Sequence, residues 1–106
     1  MHQGDVRWYK FPSPDKKRPV VILTRESALE FLGEVTIAPI SRTVYGTPSE
    51  VLLTHTDGMP ADCAANLDHL QTVSKAKIGP LIATLRPAKM RALREALLFA
   101  LGFDEE

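Results

Sequence analysis

The sequence has little of what several broad classes of protein require. Its one cysteine, Cys63, cannot form an internal disulfide, and no CxxC or Cys/His spacing supplies the ligands of a structural zinc site. The longest apolar stretch, residues 96–103, is far too short to span a bilayer, and residues 1–5 lack the apolar core of a signal peptide. These features predict a soluble protein of a reducing compartment, the cytoplasm, with no membrane partner.

The motifs of the common enzyme classes are missing as well. The chain has no glycine-rich phosphate loop, no HExxH, no GxSxG and no EF-hand pattern. Acids and histidines do not cluster at ligand spacing, so we expect neither a cofactor nor a metal site. Any catalysis must therefore depend on ordinary polar side chains.

Charge is balanced overall but unevenly distributed. The 13 basic and 13 acidic residues give a formal net charge of zero, so no global field indicates a nucleic-acid partner. Residues 1–18 nevertheless hold five bases against two acids, and residues 75–94 hold six bases and no acid. Taken alone, each segment is more typical of solvated surface than of a binding site.

Residue patterns predict a mainly β fold in a single domain, residues 1–106. The apolar run 20–23 is typical of a central strand covered on both faces, and Pro39 indicates the end of a strand or an edge strand. Segments 35–40 and 50–53 predict a hairpin, residues 26–32 a short helix, and Trp8 a core position. The predicted strands are 6–11, 20–23, 35–40, 50–53, 63–67 and 78–85.

The last segment changes period and predicts an amphipathic helix. Met90, Leu93, Leu97 and Leu101 follow helical spacing, with Pro87 suited to the first turn and Gly102 to the end. Several short strands followed by one helix favour a small, strongly bent sheet or partly open barrel with the helix packed on it. A domain of this size buries only about 60–65% of its unfolded surface, so a subunit interface would add stability.

The residues that could carry chemistry are polar and lie near the ends of predicted strands. One precedes the central strand, one follows the third, and four surround the fifth. In chain order they are Arg18, Ser41, Asn66, Asp68, His69 and Thr72.

At these positions the chain resembles the MazF/PemK group of type II toxin–antitoxin ribonucleases. Residues 4–6 open a strand, a polar loop follows, and the pair Arg18-Pro19 precedes the apolar strand. Pro39-Ile40-Ser41 is followed by Gly46, Pro48 and Glu50-Val51, and the remaining matches are Asp68, residues 71–73, residues 75–79 and residues 100–103. The resemblance runs nearly from end to end, and the segments occur in the family's order.

The resemblance implies a homodimer with an SH3-like bent sheet of about five to seven strands and a terminal helix, as in the CcdB/PemK fold. It implies cleavage of single-stranded RNA at short sequences, growth inhibition, and a cognate antitoxin whose flexible acidic tail fills the RNA groove. The family's catalytic arginine and hydroxyl residue correspond to Arg18 and Ser41. Lys16, Lys17 and Arg42 would line the groove, and Asn66 and Thr72 would contact RNA.

The chemistry fits these residue types. Metal-free RNA cleavage can use the adjacent 2′-hydroxyl as nucleophile, so the protein positions the phosphate, moves protons and stabilises developing charge. Arginine holds two phosphate oxygens with its planar fork, and a hydroxyl can donate to a third. For the general base, Asp68 and His69 both remain candidates.

Two departures from the family pattern bear on these roles. Ser41 stands where the family usually has threonine, which keeps the hydroxyl. Asn66 stands where some members carry an arginine with an acid role, so a complete acid–base assignment does not transfer. Ordinary structural roles also stay open, since Arg18 could lie along the surface, and Ser41 and Asp68 could each fix a turn.

Two other functions compete with RNA cleavage. A CcdB-like toxin of similar architecture poisons DNA gyrase through an apolar carboxyl terminus that follows a tryptophan, whereas residues 102–106 here are acidic and lack one. A non-catalytic module could instead bind single strands by stacking bases on Trp8, Tyr9 and Phe11. Cutting of a long RNA separates the nuclease from the module.

Overall fold

The computed structural model describes residues 1–12 and 16–105. In these residues the chain forms seven strands, four single 3₁₀ turns and one α-helix. The strands are β1 (Asp5–Lys10), β2 (Lys17–Ile22), β3 (Glu34–Ser41), β4 (Glu50–Leu53), β5 (Cys63–Asn66), β6 (Gln71–Ser74) and β7 (Ile78–Thr84), and the helix is α1 (Pro87–Leu101).

All the strand pairs are antiparallel, in the order β4-β5-β3-β2-β1-β7, with β6 beside the first half of β3. The prediction of a mainly β fold with a carboxyl-terminal helix is therefore confirmed. The long strand β3 exchanges partners along its length. Glu34 to Ile37 pair with β6, and Ile40 and Ser41 pair with β5. The sheet is consequently open and divided where β3 changes neighbour.

Pro39 lies in the interior strand β3, so its predicted place at an edge was wrong, but it does lie near the end of the strand, in the last pair with β2. Leu23 N donates to Thr36 O at 2.9 Å, so Thr36 faces β2. By alternation the nitrogen of Pro39 points away from β2. On that side Pro39 lies between the last pair with β6 and the first pair with β5, so its missing N–H interrupts no ladder.

Two other local predictions fail for related reasons. The predicted hairpin of β3 and β4 does not form, because β5 inserts between them and presents the small buried side chains of Ala64 and Ala65. The predicted helix at 26–32 is a single 3₁₀ turn, Glu26–Ala28, as expected for so short a segment. Strand β6 had no sequence prediction, because its four residues hold only one buried apolar side chain, Val73.

Two apolar clusters cover opposite faces of the sheet. Val21 belongs to the cluster between the sheet and α1, while Val20 and Ile22 belong to the cluster on the other face. All three are fully buried, so the central, doubly covered strand is confirmed. On the first face Leu93 and Ala96 of α1 are buried against the sheet.

Gly4 joins the start of the chain to α1. Its φ of +90° is a left-handed conformation that favours glycine, and a Cβ here would lie 2.5 Å from Met90 Sδ. Gly4 N also donates to Ile22 O at 2.8 Å, and Leu85 N donates to Gly4 O at 3.1 Å. The glycine that opens β1 thus allows close packing between the first strand and the helix. No helix within the described ranges is long and apolar enough to cross a membrane.

Candidate active site

Arg18 and Ser41 reach one open cleft because of the β2–β3 register. At the end of the β2–β3 ladder nearer to Arg18 and Ser41, the last pair is Val20 with Pro39. Arg18 lies two residues before Val20, and Ser41 two residues after Pro39, so the two occupy matching positions beyond the ladder's end. Both line a cleft of about 460 Å³. The strand register thus joins two residues that the sequence separates.

The hydroxyl of Ser41 is oriented by the loop that follows it. Ser41 Oγ accepts a hydrogen bond from Thr43 N at 3.1 Å. This bond uses a lone pair of the oxygen and leaves the hydroxyl proton available to donate. Arg18 is exposed and forms no ion pair with the acidic residues that the structure describes. Both groups can therefore donate to a ligand in the cleft.

The rest of this cleft combines cations with an apolar wall. Lys17 and Arg42 line it beside Arg18, and Ile40 and Met59 supply buried apolar atoms. Trp8 lines it too, since it pairs with Pro19 across β1 and β2. Trp8 is only half-buried, so its predicted core position is corrected to the wall of the cleft. The mixture suits a phosphate with an attached base.

A second cleft, of about 430 Å³, also includes Arg18. It is lined by Phe11, Lys16, His69 and Gln71 together with prolines. Of the two candidate bases, His69 thus lies in a cleft that Arg18 shares.

Asp68 and Asn66 occupy a different environment. Ser49 Oγ donates to Asp68 Oδ2 at 2.5 Å, and Asn66 Oδ1 accepts from Asp68 N at 2.9 Å as the cap of a 3₁₀ turn. Neither residue lines either cleft. The observed contacts of Asn66 and Asp68 stabilise the turn that follows β5 and join it to Ser49.

Thr72 lines neither of the clefts that include Arg18. It borders a depression of about 650 Å³ with Leu97 and Leu101 of α1, and its hydroxyl is 3.3 Å from that of Thr36. The structure therefore places Lys17 and Arg42 in a cleft with both Arg18 and Ser41, and Lys16 and His69 in a second cleft with Arg18. Asn66, Asp68 and Thr72 line neither cleft.

Three of the bases in the segment 75–94 contact other parts of the fold through hydrogen bonds and ion pairs. Lys75 Nζ donates to Leu29 O at 2.6 Å, and Lys89 Nζ donates to Leu52 O at 2.6 Å. Arg86 and Lys89 lie 3.5 and 3.7 Å from the buried carboxylate of Asp57. These bases join the turns and α1 to the sheet and do not line the Arg18 clefts.

Cys63 lines the first cleft, although the sequence indicated only that this cysteine cannot form an internal disulfide. Its side chain is buried in the wall near Arg42, and Sγ donates to Leu53 O at 3.7 Å. Burial is the main cause that raises the pKa of the Cys63 thiol, and the carboxylates of Asp62 and Asp57 add to it. No sequence signal indicated that β5 would carry this side chain to the cleft. Across the described ranges, no three or more His, Cys, Asp or Glu side chains form a group that could hold a metal ion.

Comparison with known proteins agrees with the fold. The model of the family "PemK-like, MazF-like toxin of type II toxin-antitoxin system" matches residues 2–101, and the chain belongs to this family. Endoribonuclease MazF3 of Mycobacterium tuberculosis is 38% identical over 90 residues, which are 85% of this chain and 87% of that protein.

Two solved structures show how far the likeness extends. The Mycobacterium tuberculosis toxin MazF-mt6 superposes with a TM-score of 0.85 at 33% identity, covering 92% of this chain and 96% of that one. An endoribonuclease in complex with its cognate antitoxin, from a mycobacterial species, superposes with a TM-score of 0.87. At 22% identity, over 96% of this chain and 95% of the other, it supports the fold alone.

Proposed function

We propose that this toxin is an endoribonuclease that cleaves single-stranded RNA by attack of the 2′-hydroxyl, without a metal ion. The observation that carries the proposal is the convergence of Arg18 and Ser41 on one open cleft flanked by Lys17 and Arg42. Cations and a hydroxyl donor are the groups that a phosphodiester needs as charge develops on its oxygens. The relationship to proteins named endoribonucleases gives independent support.

In the proposed reaction the RNA supplies its own nucleophile. The 2′-oxygen bonds to phosphorus while its proton passes to a base, the bond to the 5′-oxygen breaks, and that oxygen receives a proton. The products carry a 2′,3′-cyclic phosphate and a 5′-hydroxyl. Arg18 holds two phosphate oxygens and Ser41 donates to a third, while Lys16, Lys17 and Arg42 bind neighbouring phosphates.

His69 is better placed than Asp68 to move the 2′-proton. It lines the second cleft, which shares Arg18, and one ring nitrogen of a neutral imidazole can accept a proton. The Asp68 carboxylate already accepts a hydrogen bond from the Ser49 hydroxyl, and its protonation as a base would weaken this contact. We therefore assign the base role to His69.

The decisive experiment incubates purified protein with a long single-stranded RNA in excess EDTA. We expect cutting at short preferred sequences, products with a 5′-hydroxyl, and cutting by Arg18→Ala that is slower by about 10²–10³-fold under the same conditions. Fragments with a 5′-phosphate would contradict 2′-hydroxyl attack, and binding without cutting would favour the recognition module. Inhibition of gyrase without RNA cleavage would favour the CcdB-like alternative.

We further propose that the toxin acts as a homodimer and is neutralised by an acidic, flexible antitoxin segment. Lys17, Arg18 and Arg42 share the first cleft and Lys16 the second, so one acidic chain could cover both. Association with such a partner should be fast and should weaken as salt rises. A complex insensitive to ionic strength would contradict this mode of neutralisation.

A further inference from the structure

The loop between β3 and β4 has a defined shape although it belongs to no regular element. Residues 42–49 follow Ser41 directly and are mostly exposed, and they form neither strand nor helix. Its first two residues, Arg42 and Thr43, line the cleft with Arg18. The conformation of this loop therefore fixes one wall of the proposed active site.

One carboxylate organises the far half of this loop. Glu50 Oε1 accepts hydrogen bonds from the backbone N–H groups of Tyr45, Gly46 and Thr47 at 3.0, 2.6 and 3.2 Å. Its other oxygen accepts from Tyr45 at 3.3 Å, and Glu50 N donates to Thr47 O at 3.0 Å. Three successive amides thus converge on one anion, an arrangement that binds negative charge strongly.

The carboxylate itself is held by the sheet. Glu50 is the first residue of β4 and pairs with Asn66 of β5. Next to it Ser49 is almost fully buried, with its hydroxyl bonded to Asp68 and its carbonyl accepting from Leu67 N at 2.9 Å. Glu50 is therefore anchored in the sheet, and its carboxylate holds a loop that would otherwise have many conformations.

We propose that Glu50 is a positioning residue for RNA cleavage. It holds the loop of residues 42–49 in a fixed conformation, so that the cleft wall beside Ser41 and Arg18 is already formed before RNA binds. The inference rests on the proposed nuclease function. Glu50 does not line the cleft and acts through the loop amides. Loss of the Glu50 carboxylate lets Arg42, Thr43 and the Ser41 hydroxyl adopt positions that do not suit catalysis. The loop must then become ordered when RNA binds, which costs free energy.

The test compares Glu50→Ala and Glu50→Gln with wild type. Oε1 makes all three loop contacts, so glutamine can keep an oxygen there but loses the charge that strengthens them. We expect Glu50→Ala to lower kcat/KM for a short RNA by about ten- to a hundredfold, since small misplacements are costly in catalysis. Glu50→Gln should fall between Glu50→Ala and wild type.

Glu26→Ala is the matched control. Glu26 likewise accepts a backbone N–H, that of Gln3 at 3.0 Å, but it lies outside both clefts. It should leave kcat/KM unchanged. Hydrogen exchange at Tyr45, Gly46 and Thr47 reports the loop directly and should be accelerated only by the Glu50 variants. Mapped cleavage sites give a second readout, and we expect weaker discrimination between preferred and related sequences.

A folded Glu50→Ala protein that loses amide protection at the loop yet cuts at the wild-type rate and sites would overturn the inference. So would unchanged protection of the three amides, because the carboxylate would then not hold them. If the wild-type protein cuts no RNA at all, the proposed function itself fails. A Glu50 variant matching an active wild type refutes only the positioning role.

Discussion

Arg18 and Ser41 occupy matching positions on neighbouring strands, each two residues beyond the Val20–Pro39 pair that ends the β2–β3 ladder. The strand backbones set their relative placement, and both side chains line the cleft. A site built on strands is positioned more precisely than one carried by loops alone. Substitutions at these two positions should therefore test chemistry with little disturbance of the fold.

Arg18→Ala should lower the rate of RNA cleavage by about 10²–10³-fold, the usual cost of losing one preorganised donor. Because Arg18 is exposed, the melting temperature should stay close to that of wild type. Arg18→Lys should recover little activity, since an ammonium cannot reproduce a two-pronged contact with phosphate. A folded Arg18→Ala protein with the wild-type rate would remove Arg18 from the mechanism.

Ser41→Thr should stay active and Ser41→Ala should lose activity, because the hydroxyl is the group that the two active forms share. Alanine also removes the acceptor for Thr43 N, so the start of the loop loses its bond. Initial rates on a short RNA, with circular dichroism to check folding, measure the effect. Equal rates for serine and alanine would show that the hydroxyl takes no part.

His69→Gln should reduce the cleavage rate by about 10²-fold or more, the contribution of a general base, while leaving stability nearly unchanged. Asp68→Asn should mainly lower the free energy of unfolding, because the Asp68 carboxylate accepts a hydrogen bond from the Ser49 hydroxyl at 2.5 Å. The measurements are kcat and the midpoint of urea unfolding for each variant. The reverse pattern, with activity lost at Asp68 and kept at His69, would transfer the base role to Asp68.

Cys63 should react slowly with iodoacetamide in the native protein and rapidly after unfolding, because burial raises the pKa of its thiol and shields the sulfur. The folded state holds the proton more tightly than the unfolded state does. The contribution of Cys63 to stability is thus fully present below the unfolded thiol pKa, about 8.5, and is lost as pH rises through the folded value.

Unfolding midpoints measured from pH 7 to 10 on wild type and Cys63→Ala test this linkage. Only the wild type should show the added loss of stability at alkaline pH. Parallel curves for the two proteins, or fast alkylation of the native thiol, would contradict the burial argument.

Residue patterns were enough to predict the class of fold and the central strand. The uninterrupted apolar run at Val20 to Ile22 is stable only with both faces covered, and the helical spacing of Leu93 and Leu97 suits one packed face. The motif around Arg18 and Ser41 also identified the two residues on which the proposed chemistry depends. Local pattern was enough because side chains alternate between the two faces of a strand and return to the same face of a helix about every 3.6 residues, so the spacing of apolar residues shows which faces are covered.

Which polar residues share a cleft could not be predicted from residue patterns, because it depends on how distant strands pair. Asn66, Asp68, His69 and Thr72 are close in sequence, yet only His69 lines a cleft with Arg18, while Asp68 bonds to Ser49 and Thr72 borders α1. The exchange of partners along β3 and the insertion of β5 beside β4 cause this division. Such strand pairings depend on contacts between distant segments, which no local pattern encodes.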